Sequence, residues 1–232
     1  MILLPLLTLV ASLQQPAAAG TYTLSFTVPD FGPMRYALTL PRGYTPRTAR
    51  PLVLALHPGG ERFPGYGGAF VQQVIVPGLS ELGAIVVAPD CPTRAWTDTI
   101  AERAVLALVQ SILDQYNVDR SRVLVAGFSL GGSGTWFLSS RHADLFTAAI
   151  VMAGSPGNGP IEALAKVPTF VIHSRDDEVV PFGPAERAVA ELKRLKRTIE
   201  FAPLVGLTHF QMGGYVDSLA RGGRWVLDRW KN

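Results

Sequence analysis

The chain has 232 residues, of which 48% are hydrophobic and 17% charged, with a formal net charge of +3 at pH 7. This composition excludes a disordered chain and suits one sizeable buried core. Its single cysteine, Cys91, excludes an intramolecular disulfide and a metal site built on several thiolates. The one basic run, residues 193–197, ends a predicted helix, where cations suit the helix dipole, so we expect no nucleic-acid partner.

The N-terminus has the features of an export signal. Residues 1–13 are apolar and too few to span a bilayer, and small residues that suit a cleavage site precede Gly20. We therefore expect residues 1–19 to be a signal peptide and residues 20–232 a single domain. The mature protein would be secreted or periplasmic, without stable membrane insertion. The alternatives for the apolar segment are a membrane anchor or a buried strand.

The remaining chain alternates between predicted strands and helices. An antiparallel pair is predicted at residues 22–28 and 34–40, and further strands at residues 52–57, 84–88, 121–125, 148–152, 168–173 and 198–201. Helices are predicted at residues 68–82 with an interruption at residues 77–78, after the cap Asp98, and at residues 133–141, 184–196 and 215–230. This order predicts an α/β fold, with a mostly parallel central sheet covered by helices on both faces.

One predicted turn holds a serine between two glycines. Residues 127–131, Gly-Phe-Ser-Leu-Gly, lie between the strand at residues 121–125 and the helix at residues 133–141. They fit the pattern G-x-S-x-G, in which a strand enters a turn too tight for neighbouring side chains and exposes the serine. Ser129 is therefore the predicted nucleophile. The alternative is a glycine-rich turn whose serine caps the helix.

A serine nucleophile needs a histidine base and an acid that orients the histidine. With this turn, the acid and then the histidine follow the serine along the chain. His209 is the one histidine beyond every candidate acid, in a loop before the closing helix. Among the acids, only residues 176–178, Asp-Asp-Glu, follow the end of a buried strand, where catalytic groups collect. A loop histidine without a catalytic role is the alternative for His209.

These motifs together resemble a known group of enzymes. Residues 127–132, residues 173–182 (His-Ser-Arg-Asp-Asp-Glu-Val-Val-Pro-Phe) and His209 are similar to α/β-hydrolase esterases of the phospholipase/carboxylesterase and feruloyl-esterase/polyhydroxybutyrate-depolymerase kind. The resemblance extends from about residue 38 onward and implies the α/β-hydrolase fold. In that family the acid precedes two variable residues and Val-Pro, which implies that Asp177 is the acid and Asp176 a neighbour.

The chain departs from the family pattern after the strand at residues 52–57. Residues 57–60 are His-Pro-Gly-Gly, where the family carries His-Gly-x. Because proline has no N–H, we expect the oxyanion donors to be the backbone N–H of Gly59 or Gly60 together with that of Leu130. A second departure, Ser174 in place of glycine before the acid, leaves the chemistry unchanged.

These features predict a serine esterase that forms an acyl-enzyme and needs no metal or organic cofactor. The short segment at residues 154–166 leaves no room for a cap domain, so the site should be open and accept short-chain or polymer-displayed esters. Trp96, Phe128 and Phe210 are candidate substrate contacts, with core packing the alternative for each. The alternative functions are a serine peptidase of the same fold and a non-catalytic binding or structural protein on a hydrolase scaffold.

Overall fold

The computed structural model describes residues 15–29, 31–61 and 63–231. Most of the predicted signal segment, residues 1–14, lies outside the described residues, and residues 15–19 precede the first strand without helix or strand structure. Within the described ranges, no helix combines the length and the apolar character needed to cross a membrane.

An eight-stranded sheet forms the centre of the described chain, in the order β1-β2-β4-β3-β5-β6-β7-β8. Its strands are β1 (Gly20–Val28), β2 (Gly32–Leu40), β3 (Arg50–Leu56), β4 (Ile85–Pro89), β5 (Val118–Phe128), β6 (Ala148–Met152), β7 (Thr169–Ser174) and β8 (Ile199–Leu204). Strand β2 pairs antiparallel with both β1 and β4, and the neighbouring pairs from β4 to β8 are parallel. The predicted opening pair and mostly parallel sheet are confirmed.

Helices cover both faces of this sheet. They are α1 (Tyr66–Phe70), α2 (Val76–Leu79), α3 (Thr99–Gln115), α4 (Leu130–Arg141), α5 (Phe182–Arg194) and α6 (Val216–Trp230). Asp98 caps α3 as predicted, since its Oδ1 accepts the N–H of Ile100 at 2.7 Å. The α/β fold class predicted from the alternation of elements is confirmed.

Two large apolar cores, one on each face of the sheet, and a smaller cluster that joins β6 and β7 to α5 hold the layers together. Successive side chains of a strand point to opposite faces, so the apolar run of β3 feeds both cores. Leu52 and Leu54 join Leu108 and Ile112 of α3 in one core. On the other face, Val53, which lies between Leu52 and Leu54, joins Leu219 of α6 in the second core. The strands that carry the candidate site are therefore fixed from both sides.

The helical stretch before β4 differs from its prediction. No break occurs at Pro77; instead α1 continues into a π-helical segment, Val71–Ile75, and then into α2. Pro77 lies at the start of α2, directly after the π-helical segment, so the hydrogen-bond pattern of the helix changes beside the residue that lacks an N–H. The boundaries of β5 and α4 also differ. Strand β5 runs on to Phe128 and α4 begins at Leu130, which leaves Ser129 alone between them.

Helix α4 lies very close to the end of β6. A Cβ added at Gly132 would lie 2.5 Å from the carbonyl oxygen of Met152 and 2.9 Å from Cα of Gly154. Both neighbours are backbone atoms, which cannot rotate away as a side chain could. By contrast, a Cβ added at the exposed Gly159 would meet no atom within 4 Å. The two glycines form a matched pair for testing this contact.

We expect Gly132→Ala to lower the free energy of unfolding by about 3 kcal/mol, because the methyl group overpacks a backbone contact. Gly159→Ala should change it by less than about 0.5 kcal/mol. Urea unfolding of both variants beside the wild type measures the difference. Equal stability of the two variants would contradict the close packing of α4 on β6.

Candidate active site

Ser129 occupies a strained turn between β5 and α4. Its φ of 56° and ψ of −116° are unusual for a residue with a side chain. Its N–H donates to the carbonyl of Met152 at 2.9 Å, which holds the turn against β6. A Cβ on Gly127 would meet the backbone of Gly131, and a Cβ on Gly131 would meet the carbonyl of Leu56, so both flanking positions require glycine. The Ser129 side chain makes no capping bond to α4, so the capping alternative is wrong.

His209 links Ser129 to an acid on another strand end. The His209 Nε2 lies 2.7 Å from Oγ of Ser129, and its Nδ1 lies 2.8 Å from Oδ2 of Asp177. A carboxylate can only accept, so Nδ1 carries the proton and donates to Asp177. The unprotonated Nε2 then accepts the hydroxyl proton of Ser129. The structure thus brings together the three residues that the sequence singled out, in the tautomer a general base needs.

The Asp177 carboxylate is buried and its two oxygens have separate partners. Oδ1 accepts the N–H groups of Val179 and Val180, at 3.0 and 2.8 Å. Oδ2 faces His209, and Nε2 of His173 lies 3.5 Å from the same oxygen. His173 donates from Nε2 to the carbonyl of Val180 at 2.9 Å. These contacts fix the carboxylate plane and thereby the direction of its bond to His209.

Aromatic rings support the imidazole from the floor of the site. The Phe128 ring centroid lies 5.2 Å from that of His209, and Phe128 is only 2% exposed. Tyr215 packs edge-on against Phe128 at 5.0 Å. Its hydroxyl accepts the N–H of Ser174, and burial raises the pKa of Tyr215 to about 12, so it stays neutral. This stack connects the end of β5 to the end of β7.

The loop after β3 is held by the rings of His57 and Tyr66, a role that the sequence does not reveal. His57 donates from Nδ1 to the carbonyl of Pro58 at 2.6 Å and accepts the N–H of Cys91 at Nε2, at 3.0 Å. The Tyr66 ring stacks on His57 at 4.4 Å, and the Tyr66 hydroxyl donates to the carbonyl of Gly59 at 3.1 Å. His57 and Tyr66 therefore fix two successive peptide groups beside the serine.

Trp96 has a different role from the predicted one. It is 1% exposed, and its Nε1 donates to the carbonyl of His57 at 2.9 Å. It therefore anchors the end of β3 from beneath and does not line the cleft at Ser129, which corrects its assignment as a candidate substrate contact. Phe128 and Phe210 do line the cleft, Phe128 as its buried floor and Phe210 as its rim, 79% exposed.

A cleft of about 550 Å³ opens above Ser129. It is lined by Pro58, Gly59, Gly60, Tyr66, Phe128, Ser129, Leu130, Ser133, Val179, Val180, His209, Phe210 and Met212. The three predicted oxyanion residues are among them, and Leu130, as the first residue of α4, has an N–H with no acceptor inside the helix. Tyr66, Val179, Val180 and Met212 were not predicted. The two valines follow Asp177 so closely that their proximity could have been inferred.

A smaller cavity of about 360 Å³ adjoins this cleft and shares Pro58, Gly59, Gly60 and Leu130 with it. Another, of about 500 Å³, borders the β1–β2 edge and contains none of the triad residues. Among the described residues, no group of three or more histidine, cysteine, aspartate or glutamate side chains is arranged to hold a metal ion.

Strand order, the strained serine turn and the Ser–His–Asp geometry define an α/β-hydrolase with a serine, histidine and carboxylate site. Residues 73–210, more than half of the chain, match the dienelactone hydrolase family, and the chain belongs to that family. The matching segment includes Ser129, Asp177 and His209. The predicted resemblance to α/β-hydrolase esterases is confirmed.

Individual relatives agree with this assignment. Feruloyl esterase C of Emericella nidulans is 29% identical over 176 residues, which cover 72% of this chain and 63% of that protein. The bifunctional acetylxylan esterase/xylanase XynS20E of Neocallimastix patriciarum is 32% identical over 140 residues, 59% of this chain and 20% of that protein. The crystal structure of a thermostable esterase has a TM-score of 0.71 and 23% identity, covering 90% of this chain and 62% of that chain. The chain spans less than two thirds of the length of each.

His173 should make the stability of the fold depend on pH. Burial lowers the pKa of its imidazole below the ordinary value of 6.5, against the opposing effects of the Val180 carbonyl and Asp177. Its Nδ1 is buried without a hydrogen-bond partner among the described residues, so a proton there would be costly. Below about pH 6.5 the unfolded chain takes up this proton more readily than the folded protein does, so the free energy of unfolding falls as the pH falls.

We expect the wild type to lose up to about 1.4 kcal/mol more stability than His173→Asn between pH 7.5 and pH 5.5. Asparagine cannot titrate, and its amide can still donate toward Val180. Urea unfolding at the two pH values measures the loss within each protein, which cancels any constant effect of the substitution. Equal losses would mean that His173 takes up a proton in the folded state.

Proposed function

We propose that this chain is a carboxylic-ester hydrolase that works through an acyl-enzyme intermediate on Ser129. The observation that carries the proposal is the unbroken pair of hydrogen bonds from Ser129 Oγ to His209 Nε2, at 2.7 Å, and from His209 Nδ1 to Asp177 Oδ2, at 2.8 Å. Such a relay removes the hydroxyl proton as the oxygen attacks, which an isolated serine cannot do. A binding protein on a hydrolase scaffold would have no use for it.

The reaction follows from the direction of these bonds. Ser129 Oγ attacks the ester carbonyl carbon while its proton moves to Nε2 of His209. Asp177 stabilises the imidazolium formed in this step. The imidazolium then gives its proton to the departing alkoxide, which leaves as an alcohol with the acyl group on Ser129. A water molecule, deprotonated by His209, releases the acid and restores the serine.

Charge that develops on the carbonyl oxygen needs donors beside Ser129. We infer that the N–H of Leu130 provides one, because it is the first of α4 and points from the positive end of the helix. The second comes from Gly59 or Gly60, which line the same cleft. Pro58 cannot contribute because it has no N–H.

The open cleft supports a preference for small acyl groups or for esters carried on a large polymer. Between α4 and β7 the described chain forms only β6 and one short 3₁₀ turn, Ile161–Ala163, so no segment there encloses a long acyl chain. Feruloyl esterase C and the acetylxylan esterase/xylanase XynS20E, both similar to this chain, carry names that refer to such esters. Feruloylated or acetylated polysaccharides are therefore the proposed natural substrates, and a secreted or periplasmic location would bring the protein to them.

Replacing the acid tests the assignment of the site. We expect Asp177→Asn to lower kcat for p-nitrophenyl acetate about a thousandfold or more, because an amide stabilises the wrong histidine tautomer. Asp176→Asn is the matched control and should cost far less, since Asp176 does not reach the His209 ring. Ser129→Ala should remove several orders of magnitude of kcat.

Circular dichroism and thermal melting of each variant establish that the fold is retained. A folded Ser129→Ala variant with near wild-type turnover would refute the proposed nucleophile. A larger loss from Asp176→Asn than from Asp177→Asn would mean that the acid has been assigned to the wrong neighbour.

The substrate preference is tested with esters of increasing acyl length. We expect kcat/KM to be highest for p-nitrophenyl acetate or butyrate and to fall toward octanoate and palmitate, because an open cleft gains little from a long chain. Acetylated and feruloylated xylan should be hydrolysed, whereas dipeptide p-nitroanilides should not. Rates that rise to palmitate would indicate an enclosed acyl tunnel, and faster cleavage of the anilides would identify a peptidase.

A further inference from the structure

The turn after β7 and the loop after β8 are joined by three consecutive carboxylates. Asp176 accepts the N–H of Gly206 at Oδ2, at 2.6 Å. Asp177 accepts Nδ1–H of His209 at 2.8 Å, and Glu178 accepts the backbone N–H of the same histidine at Oε2, at 3.0 Å. Each acid thus makes one bond to the loop, and only the middle bond is part of the relay to Ser129.

The outer two bonds hold the main chain of this loop beyond the end of the paired strands. Pairing of β7 and β8 ends where the N–H of Arg175 meets the carbonyl of Leu204. Beyond it, the hydrogen bonds between residues 176–180 and 205–210 of the described chain are the three carboxylate bonds. The loop is only partly anchored by apolar contacts, since Leu207 packs against the core whereas Val205 is 75% and Phe210 79% exposed.

We propose that Asp176 and Glu178 are positioning residues that hold the histidine loop by its backbone, so that His209 Nε2 stays within reach of Ser129. The bonds at residues 206 and 209 fix the main chain at two points. Only the side-chain rotamer of His209 then remains variable. This role rests on the proposed function, because a placed base matters only if Ser129 acts as a nucleophile.

Fixed acceptors explain why both flanking residues are acidic although they lie at the surface. A carboxylate bonded to a backbone N–H makes a stronger bond than a neutral acceptor. Such a bond at an exposed site contributes little to global stability. Its effect should therefore appear in the local order of the loop and in kcat before it appears in the melting temperature.

The test compares Asp176→Ala, Glu178→Ala and Glu178→Gln with a matched control, Glu186→Ala. Glu186 is an exposed acid on α5 that pairs with Arg175, beside the same turn, and forms no hydrogen bond with the described residues of the histidine loop. Amide hydrogen exchange of Gly206 and His209 measures the two backbone bonds without any need for turnover. Hydrolysis of p-nitrophenyl acetate and the rate of labelling by a fluorophosphonate probe measure the effect on Ser129.

We expect exchange at Gly206 to rise at least tenfold in Asp176→Ala, and exchange at His209 likewise in Glu178→Ala. Each should lower kcat and the labelling rate about tenfold with KM nearly unchanged, less than the roughly hundredfold that a 1 Å misplacement can cost. Glutamine keeps an acceptor oxygen but makes a weaker bond than a carboxylate, so Glu178→Gln should recover part of both losses. Glu186→Ala should match the wild type in exchange, kcat and melting temperature.

The outcomes separate this role from the proposed function. Faster exchange with unchanged kcat and labelling would overturn the positioning role, as would unchanged exchange in both alanine variants. A glutamine variant as impaired as Glu178→Ala would also overturn it, because charge rather than the bond would then be responsible. If the wild type itself neither hydrolyses esters nor reacts with the probe, the proposed function fails, whereas the exchange data still decide whether the carboxylates hold the loop.

Discussion

The structure depends on one close crossing of backbones, where the end of β5 turns through Ser129 into α4. The turn is strained at φ 56°, and its glycine neighbours leave no space between α4 and the carbonyl oxygens of the adjoining strands. Strain of this kind costs of the order of 1–3 kcal/mol and persists only where the surroundings leave no alternative. Here the surroundings are two apolar cores, one on each face of the sheet, which hold β3, β5 and β6 in register.

Parallel strand order then determines where the other groups can lie. The carboxyl ends of β5, β7 and β8 reach the same edge of the sheet, so an acid after β7 and a histidine after β8 meet the serine after β5 without any dedicated domain. Ser129 and His209 are 80 residues apart in sequence and 2.7 Å apart at their reacting atoms. The strand order therefore brings these two residues together, and local hydrogen bonds determine only the final distance between their reacting atoms.

The sequence predicted those parts of the molecule that depend on local pattern. Apolar runs identified the strands, and the glycines beside Ser129 identified the turn, because each feature depends on only a few neighbouring residues. The choice between Asp176 and Asp177 needed the family resemblance, because adjacent acids differ only in the direction their side chains take. Trp96 and the helical residues near Pro77 were misjudged for a related reason. Contacts with residues distant in the sequence determine which side chains are buried and where a helix continues. The local sequence alone does not show these contacts.

The loop after β3 illustrates how a departure from the family pattern is accommodated. In a trans peptide the C=O of one residue and the N–H of the next point in opposite directions. His57 holds the carbonyl of Pro58 and thereby fixes the N–H of Gly59, while Tyr66 holds the carbonyl of Gly59 and fixes the N–H of Gly60. Proline removes one donor from this loop, yet the two donors that follow it are each fixed through the preceding carbonyl. Because a preorganised donor needs no reorientation as negative charge develops, the His57 and Tyr66 rings can contribute to catalysis by fixing these two N–H groups.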